Sequence, residues 1–159
     1  MSVKILDQNM EVKMKEKKNK IFINKLINHL MKSGKKSYAT NIIYNNGFFL
    51  ARYLNKSLYN IYSEIFIRLR PFIEIRKVRV RRTTYMVPFP TNSMRQYYLV
   101  SNWLLETLRN DKRKINFNIK FREEIIKILL NQNSNTLEKK KDLYKKAEKS
   151  RSFAHFRWY

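Results

Sequence analysis

Cysteine is absent, which excludes disulfides, thiol nucleophiles and thiolate metal sites together. Histidine is scarce: His29 and His155 lie far apart in sequence, too few for an imidazole metal centre, and no cofactor is expected. Glycine 2 and proline 3 leave the chain few natural breaks, so long helices are expected. No apolar run approaches the roughly 18 to 20 residues that span a bilayer, so no membrane-spanning helix is expected. Acid is the remaining shortage: Asp+Glu 12 stand against Lys+Arg 35, for a formal charge of +23. Self-repulsion on that scale is best relieved by a polyanion. Nucleic acid is the default partner, with an anionic membrane surface as the competing one.

What is present points to a folded protein. Hydrophobic residues make up 43% of 159, enough for one domain with a real core rather than a disordered basic tail. Ile, Asn, Lys, Tyr and Phe stand where Ala, Gly, Arg and Val would serve, a bias that suggests an AT-rich coding genome. Residues 1–19 are mixed in charge and without clear period, and read as a basic N-terminal arm. They carry Asp7, Glu11 and Glu16 and no Arg, unlike a transit peptide, and have no continuous apolar centre of a signal peptide.

From Lys20 to Met31 the residues Phe22, Ile23, Leu26, Ile27 and Leu30 recur at helical spacing, and Gly34 follows as a left-handed stop. Ser37 is positioned to cap a second helix, whose stripe is Ala39, Ile42, Ile43, Leu50 and Leu54. Gly47 within it costs about 1 kcal/mol relative to Ala, which a close helix contact would justify. Ser57 caps a third helix, carrying Leu58, Ile61, Tyr62, Ile65, Phe66 and Leu69 up to Pro71. Asn92 or Ser93 opens a fourth, with Leu99, Val100, Trp103, Leu104 and Leu108 inward. A fifth runs from about Asn116 to Leu130, and a lysine-rich sixth from Thr136 to about Ser150.

Between the third and fourth helices the pattern changes. Pro71 removes a donor and disfavours the helical conformation at Arg70. From Phe72 to Val80 the side chains alternate: Ile73, Ile75, Lys77 and Arg79 share one face, and Glu74, Arg76, Val78 and Val80 the other. Tyr85 to Val87 supply a return strand, which Pro88 is expected to end. The result is a hairpin arm over residues 71–88. A two-stranded arm is marginal in water and needs helices at its base.

Catalysis has little support. No nucleophile elbow, HExxH, P-loop or paired-carboxylate arrangement occurs; Glu123 and Glu124 are adjacent on a helix and point to different sides. His155, in the aromatic-basic tail 151–159, reads as a stacking or single hydrogen-bond residue. The cations form the better signal. Lys35 and Lys36 lie at a helix junction, and Arg76, Lys77, Arg79, Arg81 and Arg82 lie on the arm. Arg95 is near a helix start; Lys112, Arg113 and Lys114 are in a loop; Arg151 and Arg157 are in the tail. Such places let Lys and Arg reach phosphates without disturbing a core. Tyr85, Phe153, Phe156, Trp158 and Tyr159 are candidates for stacking on unpaired bases. Tyr97 and Tyr98 fit either core edge or RNA contact.

Several segments, in order, resemble the seventh small-subunit ribosomal protein family in its bacterial and organellar form. INHLMKSGKKSYATNIIY (Ile27 to Tyr44) is similar to its helix junction, and RPFIEIRKVRV with TTYMVP to its hairpin. Trp103, Glu106 and Arg109 are similar to its next helix, and KKKDLYKKAEKSRSFAHFRW to its Lys-rich last helix and tail. The resemblance implies a non-enzymatic, mainly α protein: one six-helix domain (20–150) with a protruding β-hairpin arm. It implies binding to rRNA of the small-subunit head, beside other head proteins and near the exit-site tRNA and mRNA path. By motif it assigns rRNA contact to Lys35, Lys36, Arg76, Arg79, Arg95, Arg157 and Trp158. It departs at the arm tip, where Arg81 and Arg82 replace the usual glycine pair and a looser turn is expected. It departs again at Asn92-Ser93, where the family has Arg-Pro and this chain has a candidate cap. A free-standing basic regulator of nucleic acid is the alternative. The residue bias and N-terminus lead us to expect a mitochondrial ribosome, with plastid or bacterial cytoplasm as alternatives.

Overall fold

The structure is a computed structural model that describes residues 20–158; the N-terminal arm and Tyr159 lie outside the described residues. In it, α1 (20–30), α2 (Lys36–Leu54) and α3 (Leu58–Leu69) precede strands β1 (Ile73–Val80) and β2 (Thr83–Pro90). Helices α4 (Ser93–Asn110), α5 (Phe117–Leu129) and α6 (Asn135–Lys149) follow, then a 3-10 turn at Arg151–Phe156. The expected six helices with a hairpin between the third and fourth are present.

Helix α3 is central, packed against α2, α4, α5 and α6. Its buried stripe, Leu58, Ile61, Tyr62, Ile65 and Leu69, follows the 3.6-residue period, and Ser57 caps it by accepting from the Asn60 N–H. Phe22 on α1 reaches it through Tyr62, Phe66 and, on α4, Tyr97. Gly47 lies where α2 crosses α3. A Cβ there would stand 2.9 Å from Leu58 Cδ1 and 3.1 Å from the Tyr62 ring, so any larger residue would push those side chains aside. Beside it the buried Tyr62 hydroxyl donates to the Ile43 carbonyl at 2.8 Å, and burial pushes the phenol's pKa up.

Two buried polar residues lie on helix faces that read as apolar stripes. Asn46 falls in register with Ile43 and Leu50 and is fully buried. Its amide donates to Ile42 O and Asn118 Oδ1, and its oxygen accepts from Arg122 Nε at 2.8 Å, joining α2 to α5. Glu124 falls in register with Phe121 and Ile128. Its Oε1 accepts from Ser134 Oγ, Thr136 Oγ1 and the Thr136 N–H, which ties α5 to the start of α6. Glu123 instead meets Arg113, so the two carboxylates do face different ways.

Three local expectations are corrected. Ser37 does not cap α2: Ser33 and Gly34, both left-handed, turn the chain early, and the helix begins at Lys36 with Lys35 at the cap position. Asn92 stands at the α4 cap without a side-chain bond to the helix; its oxygen accepts from Ser93 Oγ instead. Pro88 does not end the return strand, which continues to Pro90. The Thr91 N–H donates to Phe72 O, so the odd-numbered residues from Thr83 to Thr91 point their N–H groups at β1. Pro88 and Pro90 fall on the opposite phase, where a missing N–H breaks no ladder bond.

Candidate nucleic-acid interface

The arm is a register-matched antiparallel hairpin, from Ile73 opposite Pro90 to Val80 opposite Thr83. Its turn is only Arg81-Arg82. Arg81 takes φ 54°, a left-handed conformation that glycine would reach with less strain, and Thr83 Oγ1 donates to Val80 O across the turn. Both tip arginines are exposed, as are Lys77 and Arg79.

The two faces of the arm are held differently. Ile73 and Pro88 turn towards α6, where the Tyr144 hydroxyl accepts from the Phe72 N–H at 3.0 Å. Val78 and Phe89, with Val87 on the same face, meet the 3-10 turn through Phe153 and Phe156. Tyr85 packs on both rings at 5.0 and 4.9 Å. This corrects the expectation for Tyr85, Phe153 and Phe156: they brace the arm internally rather than standing free for bases. Trp158 leans on Phe89 at 5.1 Å and is still 60% exposed. His155 takes the structural role expected of it, with Nδ1 2.8 Å from Ser152 O. Tyr97 is core, stacked on Phe66 at 4.4 Å, whereas Tyr98 lies exposed under the Arg95 guanidinium.

The basic residues expected to bind RNA fall into separate groups. Arg76 and Arg95 converge on Glu74 at the arm base. Burial alone would raise the Glu74 carboxyl pKa, but the hydrogen bonds of Arg95 and the charges of Arg95 and Arg76 hold it below the usual range. Arg151 and Arg157 line an open groove of about 940 Å³ with Lys140, Lys141 and Lys145, over an apolar floor of Ile73, Pro88, Leu137 and Tyr144. Arg157 Nε is buried there with no acceptor among the described residues. Lys112 and Arg113 border a second depression of about 580 Å³ with Lys120, Lys127 and Lys139. Arg113 is bound to Asp111 and Glu123, and its hydrogen bonds pull the Asp111 pKa down to about 2. Lys35 and Lys36 stand exposed at the α1–α2 junction, and Lys114 is exposed beyond Arg113.

Sequence reasoning missed Lys140, Lys120 and Arg122, which bind inward. Lys140 Nζ donates to Arg68 O at 2.6 Å, and burial with the nearby Arg70 charge lowers its pKa. No group of His, Asp and Glu among the described residues could hold a metal ion, and no described helix is long and apolar enough to cross a membrane.

These features define a class: a strongly basic helical domain that carries a braced two-stranded arm and displays its cations at junctions, arm and tail. A family model described as "Ribosomal protein S7p/S5e" matches residues 3–151, and the chain belongs to that family of structural, non-enzymatic proteins. It is 34% identical over 142 residues to the small ribosomal subunit protein uS7 of Mycoplasmopsis pulmonis, covering 88% of each chain. The uS7 proteins of Thermosipho africanus and Wigglesworthia glossinidia brevipalpis are each 34% identical over 140 residues, or 88% of this chain. Those alignments cover 89% and 88% of the two relatives.

Proposed function

We propose that this chain is a structural constituent of the small ribosomal subunit and holds folded rRNA of the subunit head. The observation that carries this reading is the family match across residues 3–151 in a chain of net charge +23. Affinity comes mainly from phosphates met by Lys35, Lys36, the arm cations, the Lys112–Lys114 loop and the tail, and placement comes from RNA shape. Among the described residues the basic side chains are spread over junctions, arm, loop and tail rather than gathered on one helix face, which favours a convoluted RNA surface over a DNA operator. The arm and last helix lie towards the exit-site tRNA and mRNA path, beside other head proteins. The AT-type residue bias favours a mitochondrial ribosome as its setting.

Sucrose-gradient sedimentation of a tagged chain in its own cells tests this. Co-migration with the small subunit is expected, and recovery only in the light fractions would overturn it in favour of a free-standing regulator. Resolving mitochondrial from cytoplasmic ribosomes before the gradient tests the location separately.

A further inference from the structure

Glu74 is the sole acid between Arg70 and Pro88. Its side chain is only 12% exposed and sits on the same strand face as Arg76. Arg95 crosses from the first turn of α4 to meet it, with Nε 3.1 Å from both carboxylate oxygens and Nη2 2.6 Å from Oε1. Arg76 approaches the other oxygen at 3.6 Å. Each guanidinium also lies over an aromatic ring: Arg95 over Tyr98 at 4.8 Å and Arg76 over Phe89 at 5.3 Å. Carboxylate and ring therefore fix the Arg95 guanidinium in plane and position, and the same carboxylate with the Phe89 ring draws Arg76 towards it from a different secondary-structure element.

Beyond its contact with Tyr98 one turn on, the helix itself does not favour a cation at Arg95. A cation in the first turn opposes the helix dipole, and α4 has no acid in its first turn to compensate. Its Nη1, and the Nε and Nη1 of Arg76, have no acceptor among the described residues, and both side chains remain nearly half exposed. Two guanidinium groups gathered by one largely covered carboxylate thus keep donors available to an outside anion.

We propose that Glu74 is a positioning residue that gathers Arg76 and Arg95 into a two-guanidinium seat for one RNA phosphate at the base of the arm. It rests on the rRNA-binding reading above and adds to it a role for an acid. The opposite account treats Glu74 as an internal competitor, an anion occupying arginines that RNA would otherwise use. The two differ in sign. Removing the charge adds one unit of attraction for RNA and frees both arginines, so competition predicts tighter binding, whereas positioning predicts weaker binding.

The test is filter binding of the purified full chain to a transcribed rRNA head domain. Glu74→Gln and Glu74→Asp are compared with wild type, and circular dichroism checks the fold. Glu74→Gln should weaken binding by about tenfold, the order of one lost charge-assisted hydrogen bond. Glu74→Asp keeps the charge and should fall between. Adding Arg95→Ala to Glu74→Gln should cause little further loss, while Arg79→Ala should add its own full effect. Phosphorothioate interference should lose the same single phosphate in Glu74→Gln and Arg95→Ala, which a merely structural defect would not do. Unchanged or tighter binding by Glu74→Gln would overturn the inference while leaving rRNA binding intact. A wild-type chain that fails to bind the RNA would instead overturn the underlying reading, and this inference with it.

Discussion

The helical core and the arm of this protein carry opposite balances of apolar surface and charge. The core joins α1 to α5 in one cluster, from Phe22 to Ile128, and each fully buried side chain of this size contributes about 1.5–3 kcal/mol. The arm strands keep Val78, Val87, Pro88 and Phe89 well buried, with Phe153 and Phe156 of the 3-10 turn supplying part of the cover. Its cations have one acid, Glu74, to answer five of them from Arg76 to Arg82. In the core the surface cations are more often answered within the protein, as Lys56 and Arg68 are by Glu64 and Lys139 by Glu106. On the proposed reading stability and RNA affinity are therefore separable: the core sets the first, and the arm, with the junction and tail cations, presents the groups for the second.

That separation can be broken from the core side first. Phe121→Ala empties a fully buried site on α5 and should cost about 3–5 kcal/mol, read as a large fall in the urea midpoint. RNA affinity of the molecules that remain folded should change little. Glu124→Ala should come next, at about 1–3 kcal/mol, because Ser134 and Thr136 lose their acceptor. Hydrogen exchange should then rise first at the start of α6. Phe156→Ala should barely move the global midpoint but speed exchange across β1 and β2, since its ring braces the arm and not the core. If Phe156→Ala lowered global stability as much as Phe121→Ala, the two regions would be one cooperative unit and the comparison would fail.

The smallest expected effect is a pH dependence. Burial, followed by the charges of Lys25 and Arg109, lowers the His29 pKa below 6.5. The unfolded chain then binds the proton more readily than the folded one. Stability is complete above the unfolded pKa and declines as pH falls below it. Glu64, held low chiefly by its hydrogen bond from Lys56, loses its contribution only at more acid pH, as pH falls through its depressed folded pKa. His29→Gln should flatten the pH 5–7 part of a thermal-midpoint profile and leave the acid limb in place.

The core was legible because helical spacing and its boundaries agree: Ser57 caps α3, Pro71 follows its end, and Gly47 stands where two helices press together. The arm was legible through its alternation. Its second strand was read too short because Pro88 breaks a strand only when its missing N–H faces a partner, and that phase depends on the register set at Thr91. The tail aromatics were read as free because aromatic–basic sequence looks the same whether its rings meet bases or Tyr85. Asn46 and Glu124 left a signal that went unused, a polar residue inside an apolar stripe, which asks for a buried partner. The pairing of Arg95 with Glu74 left none, since it joins residues on two elements whose approach only the fold decides.

The central claim is that the cations at the junctions, arm and tail bind rRNA through its phosphates. It is tested most directly by the salt dependence of binding to the head domain, for wild type and for Arg79→Ala. Six or more phosphate contacts would weaken binding by about a thousandfold or more between 50 and 200 mM salt, and Arg79→Ala should make the logarithmic slope shallower by about one unit. Equal affinity at low and high salt would contradict the account.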